Sequence, residues 1–389
     1  MDKLWPEAAA SLQFDVYPIA GGSLGDLTSD LALRLAKIQN RDPRQLVSPI
    51  IDQLAAVGWE ASSSNNYVNV KLSLSDLNKE SLEFSPACEV SSVTVVAPAC
   101  NRHCGSWGSL RLATLAYMQA CFLKSRGVGV ELLIGSHRLA DVGFGSYADL
   151  VKLVFDSGLN EPSDDLLDGV IERSQKQPLF VWLASRSVPQ SSFERFCSRT
   201  ASQLHKPQVR VVEAQWLDEP TFAPPISEVA TWKDTELAAL SFHLCSACVA
   251  RDLDPYAAQL SERANLRWYI AATAERLRSI YFEESGERTC TSLSDSQREL
   301  WAILVSMSLF YSRAASRMQM PEFFTVLMRA LEVFNGIFNQ PEFRLRLSEG
   351  TLSQGELSII AGTKKFLSSL VELLLNTSIE QLALELRQR

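Results

Sequence analysis

The chain has 389 residues, of which 46% are apolar and 21% charged, and its 37 Lys and Arg against 45 Asp and Glu give a formal net charge of −8. That length calls for two or three domains, and that balance excludes a disordered, collagenous or coiled-coil chain. The acidic excess excludes a protein that coats nucleic acid through bulk charge, while leaving room for RNA binding through a local patch.

No run of about 18 apolar residues occurs, so no membrane span is expected. The start MDKLWPEAAA carries Asp2 and Pro6 and no apolar core, which is wrong for a secretory signal. A cytoplasmic chain is expected. Its eight cysteines, several inside apolar runs such as Met118 to Leu123, read as reduced core thiols.

From Gly25 to Val57 the pattern is helical, through Leu27, Leu31, Leu35 and Ile38, and Pro43 then opens a second helix with Ile50, Ile51 and Leu54. Tyr67 to Leu72 alternates as a half-buried strand does. Residues 1–85 therefore read as a small α+β domain. Ser92 to Ala97 is a short apolar run stopped by Pro98, followed by a Gly105 to Gly108 loop, a helix from Ser109 to Ser125 and an apolar run from Val128 to Ile134. Strand, loop, helix, strand is the unit of a parallel sheet. Further strands are expected at Pro178 to Ala184 and Val209 to Glu213, with an amphipathic helix from Ser191 to Leu204 between them. Residues 90–218 thus read as a reduced Rossmann-like domain. Pro220, Pro224 and Pro225 mark a linker. Beyond it, helical periodicity covers Trp232 to Ala250, Pro255 to Glu283, Ser294 to Arg317, Pro321 to Phe338 and Gln354 to Asn376, a bundle over 226–389. The fold class is α/β plus α.

Three phrases then stand in order. They are GDLTSDLALRLAKIQNRDPRQL from Gly25 to Leu46, Asn66-Tyr67-Val68-Asn69, and NLRWYIAATAERL from Asn265 to Leu277, the last preceded by Asp252-Leu253-Asp254. Together they resemble arginyl-tRNA synthetase over nearly the whole chain: its extra N-terminal domain, its catalytic domain and its helical anticodon-binding domain of the DALR type. In that family the strand ending in Ala-Pro leads to two histidines bracketing a glycine, which hold the ATP phosphates. Aligned on Leu110-Arg111, this chain keeps Gly108 but has Ser106 and Ser109 where the histidines stand, and His103 lies three residues too early. Serine cannot carry the positive charge that stabilises adenylate formation. The family's lysine loop is also missing, Lys233 being the only lysine between Val209 and Thr235, and Asp141-Val142-Gly143 lacks the glutamine that should follow. The chain is shorter than a full synthetase. The resemblance thus implies a truncated, catalytically degenerate paralogue, a pseudoenzyme without a cofactor, whose loop through Pro98, Ser106, Gly108 and Ser109 is vestigial. Its glycines and helix start still leave backbone donors for a phosphate, so ATP binding stands as the alternative.

The candidate RNA contacts are Arg267, Trp268, Tyr269 and Arg276, since Tyr269 and Arg276 are seven apart, share a helix face, and would offer a base-stacking ring and a guanidinium. Arg313 and Arg317, one turn apart, would extend the patch, and the resemblance adds Tyr67 and Asn69. The alternative packs Trp268 and Tyr269 inside the bundle and leaves the arginines solvated. Cys100, His103, Cys104, His243, Cys245 and Cys248 match no zinc module, so no metal is expected. Asp164, Asp165 and Asp168 read as a solvated turn, and no nucleophile signature surrounds the histidines. The expected function is a non-catalytic tRNA-binding adaptor or regulator, its bundle on the anticodon arm and its N-terminal domain at the outer corner of the tRNA. No DNA or membrane partner is expected. The alternatives are a protein-interaction scaffold without RNA and a residual ATP-dependent aminoacyl-tRNA ligase.

Overall fold

The computed structural model describes residues 15–19, 24–73, 91–97, 107–135, 137–139, 147–156, 168–172, 177–184, 209–214, 226–229, 237, 240–241, 244–245, 266–280, 293–375, 378 and 380. Pro98, Ser106, Asp141 to Gly143, Asp164, Asp165, the proline linker, the helix expected at Ser191 to Leu204 and most of Trp232 to Ala250 lie outside these residues. The same holds for Cys100, His103, Cys104, His243 and Cys248. The chain forms two compact units. One comprises Met1–Glu83, Ser279–Ser308 and Arg329–Phe366; the other comprises Phe84–Arg278, Leu309–Met328 and Leu367–Arg389.

The first unit opens with β1 (Val16–Pro18), β2 (Leu27–Ser29), α1 (Leu31–Gln39), α2 (Arg44–Ala56), β3 (Glu60–Ser64) and β4 (Tyr67–Lys71). The four strands form an antiparallel sheet in the order β1-β2-β4-β3. Helix α1 stops where Asn40 turns left-handed, φ 51°, and Asp42 Oδ1 accepts the Arg44 amide, 2.9 Å, at the start of α2. Positive φ at both Asn65 and Asn66 makes the tight β3–β4 turn whose twist suits a hairpin. Leu31, Leu35, Leu46 and Ile50 from the helices meet Val68 and Val70 of β4 in one core. Two expectations are corrected here. Leu27 lies on a strand rather than a helix, because Asp26, Thr28 and Ser29 are drawn into pairing with β4. The alternation of β4 is also imperfect, with Val68, Asn69 and Val70 all buried.

Four later helices follow: α6 (Asp295–Arg317), α7 (Met320–Phe338), α8 (Pro341–Glu349) and α9 (Gln354–Leu375). Before them come α3 (Trp107–Lys124), α4 (Tyr147–Asp156) and α5 (Leu266–Ser279) in the second unit. Helix α8 has no counterpart in the periodicity reading; Pro341 starts it and Gly350, φ 68°, ends it. Reciprocal capping boxes start α6 and α9. The Ser294 amide donates to Gln297 Oε1, 2.9 Å, and the Ser353 amide to Glu356 Oε2, 2.8 Å, while each serine hydroxyl accepts the return amide.

Glu356 is buried and also accepts a hydrogen bond from Arg346. Burial alone would raise its pKa, but the Arg346 guanidinium and the amide and hydroxyl of Ser353 outweigh that and hold it below the usual carboxylate value. A depressed folded pKa stabilises above the unfolded value, about 4.3, and the contribution is lost as pH falls through the folded value. Glu356→Gln should therefore cost about 1.5 to 3 kcal/mol at pH 7. In urea titrations the gap to the parent should close below about pH 4; a gap constant from pH 7 to pH 3 would contradict this origin.

The second unit holds a five-stranded sheet, β7-β6-β5-β8-β9, from β5 (Ser92–Ala97), β6 (Gly129–Ile134), β7 (His137–Leu139), β8 (Leu179–Ala184) and β9 (Val209–Ala214). All neighbours are parallel except the short edge strand β7, which runs against β6. Val96, Leu133, Leu179, Val181 and Val209 pack with Val170 on one face. Helix α3 covers the other face, against β5, β6 and β8, and is buried at every residue from Trp107 to Leu123. A helix apolar all round belongs inside a core.

Candidate functional site

The progression of the parallel strands reverses between β5 and β8, the switch point at whose carboxyl edge open α/β sheets place their ligands. The chain leaves β5 there, and the next described residues are those of α3. Gly108 and Ser109 lie in the first turn of that helix, both buried. Further along the same helix, the Thr114 hydroxyl sits 2.7 Å from that of Tyr147. The described cysteines, Cys121 and Cys245, are buried, and burial pushes both thiols up, away from the reactive thiolate. Among the described residues no group of three or more His, Cys, Asp or Glu could hold a metal ion. Likewise, among the described residues no helix is long and apolar enough to cross a membrane.

Helix α5 carries Arg267, Trp268, Tyr269 and Arg276, the first two with side chains outside the described set. Ile270, Thr273, Ala274 and Leu277 form its buried face, and Tyr269 and Arg276 are half-buried beside it. Arg317 is half-buried at the end of α6. Arg313 is only 2% exposed and its guanidinium carbon lies 5.3 Å from the Phe310 ring centroid, so it is an interior residue rather than part of a solvated pair with Arg317.

The β1–β4 sheet collects polar groups most clearly. Val68 and Val70 point into the helix-covered core, so Tyr67, Asn69 and Lys71 project from the opposite face. Register sets Thr28 of β2 and Ser62 of β3 on either side of Asn69, and Tyr17 of β1 beyond Thr28. Tyr17, Thr28, Asn69 and Ser62 thus make one row of hydrogen-bonding side chains across all four strands. Tyr67 stands next to that row, 40% exposed. Asn69 is 3% exposed, yet among the described residues its Nδ2 has no hydrogen-bond partner.

Gly25 explains how the chain passes so close to this row. At φ 134° its backbone accommodates what a side chain rarely can, and a Cβ there would come within 3.0 Å of the Val70 carbonyl oxygen and 3.4 Å of Asn69 Cβ. The next residue, Asp26, accepts from Arg298 Nε at 3.0 Å, from Arg298 Nη2 at 2.6 Å and from the Leu72 amide at 2.7 Å. The resemblance marks Tyr67 and Asn69, but Tyr17, Thr28, Ser62 and the Asp26–Arg298 pair emerge only from strand register and tertiary packing.

Neither a protein-family model nor a curated protein matches the sequence. Solved structures do match. Thermus thermophilus arginyl-tRNA synthetase aligns over 96% of this chain and 97% of its own, with a TM-score of 0.62 and 12% identity. The chain has an arginyl-tRNA synthetase-like fold. A Campylobacter jejuni chain named as an arginyl-tRNA synthetase aligns over 78% of this chain and 98% of its own, with a TM-score of 0.49 and 8% identity. The synthetase-like fold agrees with the α/β plus α class.

Proposed function

We propose that this synthetase-like chain is a non-catalytic, cytoplasmic tRNA-binding adaptor or regulator. The observation that carries the reading is the polar row on the β1–β4 sheet, with the exposed Tyr67 ring beside it and, within it, a buried Asn69 whose Nδ2 has no partner among the described residues. An exposed ring next to side-chain donors and acceptors suits a splayed base, which stacks on one and bonds the others along its edge. Tyr269 and Arg276 of α5 offer a second ring and cation at half-buried positions. The non-catalytic half rests on Ser106 and Ser109 in place of histidines and on the missing lysine loop.

The test is tRNA binding by fluorescence anisotropy across a salt series. Tyr67→Ala should weaken binding roughly 5- to 150-fold, the range for loss of one stacking ring, without changing the melting temperature. Arg276→Ala should lower the slope of log K against log salt by about one. Folded variants that bind as the parent does would move the contact elsewhere. Arginine-dependent exchange of pyrophosphate into ATP should stay at the no-protein baseline; exchange above it, lost on altering Gly108 or Ser109, would restore the ligase reading.

One observation favours the scaffold reading. Five of the seven exposed large apolar side chains among the described residues, Leu24, Ile38, Val57, Trp59 and Tyr67, lie in the N-terminal segment, and the chain is acidic. A parent that binds no tRNA even at about 50 mM salt, where charge contacts are strongest, would put this reading first.

A further inference from the structure

Strand β3 is an outer strand of the β1–β4 sheet, paired with β4 alone among the described residues. The two-residue turn at Asn65 and Asn66 makes Ser64 and Tyr67 a hydrogen-bonded pair, so the amides and carbonyls of Glu60, Ser62 and Ser64 turn toward β4. Those of Ala61 and Ser63 point the other way, out of the sheet. Outer strands are normally guarded by lysines, prolines or a bulge. Strand β3 has none of these, and its only charge, Glu60, is tied to Lys71 of β4 at 3.3 Å.

The surroundings of this edge are apolar. Val57 is 69% exposed and Trp59 46% exposed just before β3 begins, with Ala55 and Ala56 exposed ahead of them. Leu24, whose carbonyl accepts the Ser62 hydroxyl at 3.3 Å, is exposed as well, and so is Tyr67 opposite Ser64. Alanine and serines form no pockets for the side chains of a foreign peptide, so the edge lacks the means by which strand-addition sites choose a sequence.

A second copy of β3 fits the edge by symmetry. With a two-fold axis at Ser62, Ala61 of each chain faces Ser63 of the other, and the outward amides and carbonyls of both residues close four hydrogen bonds. Neighbouring registers fail. An axis at Ala61 would set Ser63 against Trp59, whose amide is already donated to the Leu54 carbonyl at 2.9 Å, and an axis at Ser63 would set Ala61 against Asn65 in the turn. Charge also permits the pairing, despite the acidic chain. Glu60 falls opposite Ser64 of the second copy, and the two Glu60 residues stand about 13 Å apart along the strands, beyond the screening length at physiological salt. Asp52, the one acid of α2, lies two residues from both Ile50 and Leu54, so it points away from the sheet and not along its edge.

We propose that the chain forms a dimer through antiparallel β3–β3 pairing about a two-fold axis at Ser62, joining two four-stranded sheets into one. The row of Tyr17, Thr28, Asn69 and Ser62 then runs across the axis into its copy. Pairing needs no RNA, so the dimer goes beyond the tRNA reading and stands apart from it. One short strand and its apolar flanks make a small interface, which places the dimer in the reversible class.

Sedimentation velocity of the full-length parent should show monomer giving way to dimer between about 1 and 100 μM. Ser62→Lys and Ser62→Glu each set like charges directly across the axis, and each alone should stay monomeric at about 100 μM. An equimolar mixture of the two should dimerise again, which excludes misfolding as the cause of the loss. Ser63→Pro removes an outward amide proton and leaves the β3–β4 ladder intact, and should weaken dimerisation about tenfold or more. A parent that remains monomeric at about 100 μM overturns the proposal. So does a parent dimer that both charge variants retain on their own, or a mixture that stays monomeric, since either places the contact away from Ser62. None of these readouts involves tRNA binding at Tyr67 and Asn69.

Discussion

Phe122→Ala is expected to destabilise the protein by about 3 to 5 kcal/mol, the usual range for emptying a fully buried phenylalanine site. Phe122 is completely buried near the end of α3, and its ring meets Tyr311 at 4.7 Å, Phe323 at 5.2 Å and Phe324 at 6.2 Å between centroids, the last two edge-on. Edge-to-face pairs add to the area term, and none of these neighbours can collapse into the gap without losing its own contacts. The measurement is the shift in urea midpoint at constant m-value. A loss below about 2 kcal/mol would show that the cluster repacks, as the softer sites of mutational series do. Ser125→Ala makes a smaller cut at the same place. It removes one hydrogen bond of the Tyr311 hydroxyl, whose pKa burial pushes up to about 12 against the opposing pull of Ser125, and should cost about 0.5 to 1.5 kcal/mol.

What the sequence discloses here follows from where burial is two-sided. Strand β5 and the described residues of β8 are covered on both faces, and read as continuous runs such as Val93, Val95 and Val96. Helices α6, α7 and α9 are long enough for their periodicity to dominate any local exception. The short antiparallel strands are another matter. Strand β3 is Glu60, Ala61 and three serines, with no β-forming side chain, and it exists because every residue pairs with β4. Leu27 keeps helical spacing with Leu31 and yet lies on β2, since the pairing of Leu27 with Val70 outweighs a spacing that one strand residue can mimic.

The candidate site divides in the same way. Period two in Tyr67 to Leu72 marks a strand, and the resemblance of Asn66-Tyr67-Val68-Asn69 marks Tyr67 and Asn69 on it. Tyr17, Thr28 and Ser62 come from three other strands, up to 52 residues from Asn69 along the chain, and only register brings them into one row. Arg313 shows the opposite failure. A charged residue one turn from another charged residue reads as surface, and packing against Phe310 places it inside.

Arg298→Met is expected to cost about 3 to 5 kcal/mol and to weaken tRNA binding with it. Asp26 is 4% exposed, and the side chain of Arg298 is 17% exposed. Removing one partner of a pair so buried leaves the other charge uncompensated, the origin of that magnitude. The double variant Asp26→Leu with Arg298→Met should not recover the whole loss, because Asp26 also accepts the Leu72 amide, which would then lack an acceptor. The functional consequence follows from the backbone. The Asp26 amide donates to the Val70 carbonyl, 2.9 Å, and Gly25 next to it lies against Asn69, so the segment that Arg298 anchors also walls the polar row. Loosening it should reduce affinity for tRNA together with stability, whereas Tyr67→Ala should reduce affinity alone. Paired urea and anisotropy titrations of the two variants separate these effects. If Arg298→Met stays within about 1 kcal/mol of the parent, the value of a solvated contact, the pair is screened by water and the sheet alone holds Asn69 in place.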